Sequence, residues 1–251
     1  MERLRSRTEN LEERRLEALA KLFDDVNIPL KIRKIKLIKE VGLPMPKTDY
    51  FDVKELRSLK TKIIERLQYD ESLVVRVACI PDKLSMPVFH METRGDLTET
   101  IAKIRDLIKV DPSIKYLILR NTISREKIKD RVAGRFSLES SAMAPNDQFL
   151  DIYKGARSID ILDTVKEDDP NFQRFVKKTG GFMSPEKLLD HSSDIKESEL
   201  REIYSLLQRY TSRLELIRRV IALSRDKSVD QTTTCFEFSF IENNLVFTDF
   251  D

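Results

Sequence analysis

The sequence has no tryptophan, six glycines, two cysteines and two histidines among its 251 residues. Each scarcity excludes something. Cys79 and Cys235 form no CxxC pair and do not make a disulfide framework; they are expected to be buried free thiols in a reducing compartment. His90 and His191 stand apart from any second metal-ligand motif, so no zinc pattern is present. Neither GxxxxGK[ST] nor GxGxxG occurs, so a bound phosphate is not held by either glycine-rich loop. GxSxG and HExxH are missing as well. No apolar run approaches the ~18 residues of a membrane helix, and the charged start MERLRSRTENLEERR does not read as a signal peptide. The expectation is a cytoplasmic protein with no membrane partner. With 45 basic and 43 acidic residues the formal charge is +2, too small to imply a polyanion partner by itself.

What is present is a globular composition, 40% hydrophobic and 35% charged, enough for one large domain or two small ones. Residues 8–23 place Leu11, Leu16, Leu19 and Leu22 at helical spacing, with Thr8 or Asn10 as the expected N-cap. Residues 29–41 form a second, basic helix with the apolar stripe Leu30, Ile32, Ile35, Ile38 and Val41, ended by Gly42 and Pro44. GLPMPKT reads as an extended connector. A helix is expected over 53–69, strands over 72–80 and 86–92, and a helix over 96–110 capped by Asp96. A buried strand is expected over 115–123, and further strands over 131–138, 148–154 and 158–165. PNFQRFVKK and PEKLLDH precede helices, of which 197–225 is long and amphipathic. Strands mixed with helices, without regular βαβ alternation, give an α+β class with a mainly antiparallel sheet.

The C-terminal stretch FEFSFIENNLVFTDFD reads as a β-hairpin. Phe236, Phe238 and Phe240 alternate with Glu237 and Ser239, and Glu242-Asn243-Asn244 supplies the turn. A two-residue loop is expected to put Glu237 and Asp249 on opposite faces. A three-residue loop pairs Ile241 with Leu245 and Glu237 with Asp249. The three-residue register is preferred because it gathers Phe236, Phe238, Phe240, Val246, Thr248 and Phe250 on one face. Glu237, Ser239, Asp249 and Asp251 then share the other. Facing carboxylates repel unless a cation lies between them, and clustered carboxylate oxygens suit Mg²⁺ or Mn²⁺. On spacing alone the alternative is a solvated acidic face that discourages edge pairing.

The order of these pieces resembles an ATP-grasp domain, and within it the ATP-binding region of phosphoenolpyruvate synthase and pyruvate phosphate dikinase. KIKLIKEVGLPMPKTDYF is similar to the opening helix and Gly-x-Pro-x-Pro segment. SLVVRVACIPDKLSMPVF resembles the strand whose basic residue touches nucleotide phosphates, with Arg76 at that position. DRVAGRFSLESSAMAPNDQFLDIYKGARSIDILDTV resembles the antiparallel sheet that follows. In the final hairpin Glu237 precedes Asp249-x-Asp251 by twelve residues, similar to the metal-binding strands. Asp251 stands where the ligases have Asn.

The resemblance implies mainly antiparallel sheet layers with flanking helices. It implies an N-terminal helical segment over 1–28 and an ATP-grasp-like domain over 29–251, with lobes 29–125 and 126–251. The implied ligands are ATP and Mg²⁺: Arg76, Lys36, Lys154 and Arg157 toward nucleotide, Glu237, Asp249 and Asp251 toward metal. Only some thirty residues precede the opening helix, so the chain is expected to be a lone module, a subunit whose protein partner supplies missing domains, or a copy that has lost activity.

Each candidate also has a structural reading. Arg76, inside an apolar strand, needs an anionic partner, either a protein carboxylate or a phosphate. Lys34, Lys36 and Lys39 read as a solvated helix face. Lys154 and Arg157 flank Gly155 in an exposed turn. His90 reads as structural, and Asp147 and Asp151 as turn residues. The function in another class is a nucleic-acid-binding or adaptor protein. It would use the cations Lys31, Arg33, Lys34, Lys36 and Lys39, with Arg201, Arg209, Arg213, Arg218 and Arg219 on the long helix. Acids interleave with these nearly one for one.

Overall fold

The computed structural model describes residues 2–68, 72–81, 86–138, 148–156, 161–162, 164–166, 169–177, 195–226 and 234–250. In chain order the elements are α1 (Glu2–Phe23), α2 (Leu30–Glu40), β1 (Thr48–Asp52), α3 (Leu56–Leu67), β2 (Ser72–Cys79), β3 (Val88–Met91), α4 (Gly95–Val110) and β4 (Ile114–Thr122). They continue with β5 (Val132–Leu138), β6 (Gln148–Lys154), β7 (Phe172–Lys177), α5 (Glu197–Leu223), β8 (Thr234–Ile241) and β9 (Asn244–Phe250). The class is α+β, with the sheets antiparallel and flanked by helices, and the C-terminal hairpin is present. Two compact units result, one of residues 26–33 and 45–128 and one of residues 1–25, 34–44 and 129–251.

In the 45–128 unit the strand order is β1-β4-β2-β3. Alternation along β2 sends Leu73, Val75, Val77 and Cys79 into a core with Leu117 and Leu119 of β4. Leu59 and Ile63 of α3, and Leu97, Ile101 and Ile104 of α4, close that core. A capping box precedes α3: Asp52 accepts from the Lys54 N–H at 2.8 Å, and Glu55 accepts from the Asp52 N–H at 3.0 Å. Asp96 is not the N-cap of α4, which is Arg94; its carboxylate instead accepts from the N–H groups of Glu92 and Thr93 at 3.1 and 3.0 Å, tying the incoming loop to the first turn.

The connector GLPMPKT leads into β1, a strand the sequence pattern did not reveal. Arg66 pins it in place. Its side chain is 1% exposed and donates to the Lys47 carbonyl at 3.2 Å, to Asn121 Oδ1 at 3.0 Å and to the Asp49 carboxylate. A guanidinium that deep is tolerable because its donors are largely spent on acceptors.

The other unit holds a sheet of order β7-β6-β5-β8-β9. One face is aromatic: Phe236, Phe238 and Phe240 stand opposite Phe250, Phe247 and Leu245. Helices cover it, Phe23 of α1 lying 6.1 Å from the Phe250 ring, Tyr210 of α5 edge-on to Phe247 at 5.8 Å, and Lys34 Nζ of α2 5.4 Å above Phe250. Gly134 lies opposite Phe238, and a Cβ there would sit 2.1 Å from the ring, so the glycine makes room for an aromatic packed on its backbone. At the end of α2, Gly42 takes φ +74° and its carbonyl accepts from Arg213 of α5.

Three expectations are corrected here. The strand expected over 158–165 is not formed by its described residues: Ile161 and Leu162 lie in a 3₁₀ turn closed by Thr164 and Val165 N–H groups on the Ile161 carbonyl. Residues 172–177 form the strand β7, which had not been assigned. Helix α1 already runs through Thr8 and Asn10, so neither caps it. PEKLLDH, with His191, lies outside the described residues.

Candidate functional site

The hairpin β8–β9 decides the geometry. Its loop is two residues, Glu242 and Asn243, with φ 50° and 60°, the double positive-φ pattern of a tight hairpin turn. Asn244 Nδ2 donates to the Glu242 carbonyl at 3.0 Å and braces it. The expected three-residue loop is therefore wrong, yet Glu237 does stand opposite Asp249. A β-bulge reconciles the two: the register shifts between Glu237 and Phe238, leaving Thr248 as the extra residue. The expected face assignment changes accordingly. Leu245 and Phe247 join the Phe face, while Val246 pairs with Ser239 on the other.

Glu237 and Asp249 are the end of a row that crosses the whole sheet. The register aligns Arg174 of β7, Asp151 of β6, Arg135 of β5, Glu237 of β8 and Asp249 of β9 on one face. Asp151, 3% exposed, is gripped by the Arg174 fork at 2.8 and 2.9 Å. The reading of Asp151 as a turn residue is thus overturned. Arg135 Nη2 lies 3.8 Å from Glu237 Oε1, a looser pair, with side chains 20% and 18% exposed. Signs along the row alternate until the last step, where two carboxylates meet.

Arg131, just ahead of β5, lies on the same side. It donates through Nε and Nη2 to Ser239 Oγ at 3.1 and 2.6 Å, and through Nη1 to the Ala156 carbonyl at 3.1 Å. Burial pushes its guanidinium down to about 10, against the stabilising charge of Glu237. Nearby, Tyr153 donates its hydroxyl to Asp169 Oδ2 at 3.2 Å, and desolvation together with that acid raises the phenol above its ordinary value.

The remaining sequence candidates fall elsewhere. Arg76 is exposed, opposite Ile118 and Val88 in the sheet of the 45–128 unit, so water satisfies it and no partner is forced. Lys154 is paired with Glu199 of α5 at 2.7 Å, both largely buried, and does not stand in an open turn. Lys36 is half-buried on α2, where Arg33 and Lys34 are buried, so no solvated cationic stripe exists there. On α5, Arg201 pairs with Glu197 and Arg218 with Glu215, and Arg213 lies over Tyr210. His90 is exposed on β3. Cys79 is buried, whereas Cys235 is only half-buried, and both are free. Arg157, Asp147 and Asp251 lie outside the described residues.

The site residues that sequence reasoning missed are Arg131, Arg135 and Arg174. Alternation in VAGRFSL places Arg135 on a polar face, but its neighbours become visible only through the pairing of β5 with β6 and β8.

Two carboxylates facing each other fit a hard cation, since Mg²⁺ is commonly held by one or two carboxylates with phosphate and water completing its shell. Among the described residues no group of three or more His, Cys, Asp or Glu side chains gathers at one point. No described helix is long and apolar enough to cross a membrane.

No family profile and no curated protein matches the sequence. Solved structures similar to the chain are ATP-grasp proteins and ligases. The D-cycloserine synthetase DcsG matches with TM-score 0.49 and 9% identity, over 87% of this chain and 60% of that one. A RimK-domain ATP-grasp protein of Sphaerobacter thermophilus matches with TM-score 0.45 and 12% identity, over 93% and 60%. D-alanine–D-alanine ligase of Bacillus anthracis complexed with ATP matches with TM-score 0.44 and 9% identity, over 88% and 53%. The chain thus spans little more than half the length of these proteins.

Proposed function

We propose that the chain is a Mg²⁺-dependent ATP-binding protein of the ATP-grasp type, acting in phosphoryl transfer to a carboxylate or a carrier group. The observation that carries this reading is the facing of Glu237 and Asp249 across β8–β9, on the two strands whose sequence resembles the metal-binding strands of that family. Glu237 and Asp249, with Asp251, would hold the ion. When bound, Mg²⁺ would neutralise charge on the phosphates and stabilise charge that develops during transfer. The chain's own contribution is to present two carboxylates on rigid strands and to set cations beside them. Arg135 pairs with Glu237, and Arg131 is fixed by Ser239 and Ala156. Arg76, Lys36, Lys154 and Arg157 are the residues proposed toward nucleotide. A phosphoenolpyruvate-synthase-like transfer to a carrier histidine and a ligase-like transfer to a carboxylate both suit this site.

The test is the unfolding midpoint with ATP, with and without Mg²⁺, for the wild type and Asp249→Asn. Binding to the folded state raises the midpoint by mass action. In EDTA the variant is expected to be as stable or slightly more so, because a like-charge pair worth up to ~1 kcal/mol is relieved. With Mg²⁺ and ATP its gain should be smaller than the wild type's. A variant that loses stability in EDTA and keeps the full ligand-induced gain would refute the metal role.

A second reading, an ATP-grasp scaffold without nucleotide, is favoured by a specific observation. Lys154 is neutralised by Glu199, Asp151 by Arg174 and Glu237 in part by Arg135. A wild type whose midpoint ignores Mg²⁺ and ATP would select it. The nucleic-acid reading is weakened by the burial of Arg33 and Lys34 and by the local pairing of Arg201 and Arg218.

A further inference from the structure

We infer that Arg135 is the resident counter-cation of the Glu237–Asp249 pair, a positioning residue that sets how tightly the pair takes a divalent ion. The inference rests on the metal reading of that pair and adds what controls it. Arg135 stands directly between two carboxylates, Asp151 on one neighbouring strand and Glu237 on the other. Directly opposed side chains in a sheet are within reach of each other, so either acid can receive it.

Asp151 already has both oxygens in the Arg174 fork, at 2.8 and 2.9 Å. Glu237 receives Arg135 at 3.8 Å, close enough to share charge and too long for a hydrogen bond. The other nearby guanidinium, Arg131, has its donors committed to Ser239 and Ala156. Arg135 is therefore the cation able to move. An ion arriving at Glu237 and Asp249 competes with it, and Arg135 is then drawn toward Asp151. The strength of the Asp151–Arg174 fork sets how readily that happens. Coupling of this kind is reciprocal between the two ends of the row.

The experiment is a Mn²⁺ titration of the full chain without nucleotide, read as loss of the free Mn²⁺ paramagnetic resonance signal. Arg135→Gln should bind Mn²⁺ roughly tenfold tighter than the wild type, a coupling within the range typical between linked sites. Arg135→Lys, which keeps the charge, should stay near the wild-type affinity. Arg174→Gln should tighten binding in the same direction by a smaller factor, because Asp151 then calls on Arg135. Arg174 is 44% exposed, so this variant carries the test even where Arg135→Gln does not fold. Runs at high salt remove direct long-range effects of the lost charge, which are screened beyond about 10 Å.

A merely structural Arg135 would change unfolding midpoints and leave Mn²⁺ affinity unmoved. If the wild type binds Mn²⁺ and neither Arg135→Gln nor Arg174→Gln binds tighter, the role of Arg135 is overturned while the metal reading stands. If only the variants bind, Arg135 holds the pair closed and the inference is upheld. Absence of binding in every form overturns the inference and the metal reading together.

Discussion

Replacing Gly134 by alanine tests whether the sheet that carries Glu237 depends on the aromatic packed over that glycine. A Cβ at 134 would meet Phe238 Cζ at 2.1 Å and its two Cε atoms at 2.5 and 2.6 Å. Carbon atoms settle at about 3.5–4.0 Å, so the ring or the strand has to yield by roughly 1.4 Å or more. Phe238 is fully buried, as are Phe236, Phe247 and Phe250, so no open side exists for the ring to swing into. Overpacking of this kind costs ~1–3 kcal/mol. The alanine also removes freedom from the unfolded chain, which returns ~0.4–1 kcal/mol. The net expectation is a loss of about 1–2 kcal/mol, or about 2–8 °C in unfolding midpoint for a chain this long. The assay is thermal unfolding followed by far-ultraviolet circular dichroism, with Phe238→Leu made alone and in combination. Leucine is shorter, so the double variant should be more stable than the sum of the two single losses predicts, by at least ~0.5 kcal/mol. A Gly134→Ala protein as stable as the wild type, or a double variant with strictly additive losses, would refute the close packing of Phe238 on β5.

Two further outcomes follow from buried polar groups. Arg66→Leu strips the Lys47 carbonyl and Asn121 of a donor. It should destabilise the 45–128 unit by ~2–4 kcal/mol, with little contribution from the partly exposed Asp49. Pulse proteolysis should then cleave within that unit first, and cleavage confined to residues 129–251 would count against the assignment. For Tyr153, the phenol is raised above 10.0 in the fold by desolvation and Asp169. The folded state therefore holds a proton that the unfolded chain releases, so this contribution is complete below pH 10 and is lost as pH rises through the folded value. Tyr153→Phe should flatten that alkaline decline in urea midpoints, and an unchanged slope would show that the phenol does not carry it.

The elements easiest to read from sequence are those whose periodicity is uninterrupted. LVVRVAC and KYLILRNT alternate or run apolar over full strand length, and α5 keeps an apolar stripe through Leu200, Ile203, Leu207, Leu214, Ile217 and Ile221. What escaped notice depends on partners far along the chain. Strand β1 is short, and its inward Asp49 is explained only by Arg66, seventeen positions later. FQRFVK, residues 172–177, becomes a strand because β6 offers it an edge. The same holds for the site. Glu237 and Asp249 were legible because alternation exposes acids between phenylalanines. Arg135, Asp151 and Arg174 were not, because a strand's sequence states which residues share its face and leaves open which strand lies beside it.

The hairpin shows how two local rules are both obeyed only with help from a third. Turn chemistry selects a two-residue loop, since Glu242 and Asn243 both take positive φ. Continued without interruption from the Ile241–Asn244 pair, that loop would set Glu237 against Thr248 and Phe236 against Asp249. A carboxylate would then enter the aromatic face, where no water reaches it, and Phe250 would leave that face. Hydrophobic sorting demands the opposite register, the one in which Phe236 meets Phe250. The bulge at Thr248 satisfies both, because one extra residue reverses the facing of everything after it. Phe250 regains the core beneath Phe23 and Lys34, and Asp249 is returned to the face of Glu237 and Arg135. Burial of one phenylalanine and exclusion of one aspartate therefore suffice to bring the two acids together, whether or not an ion has ever been bound there. The facing of Glu237 and Asp249 has a cause in folding, and only the cation titrations can show that it also has a use.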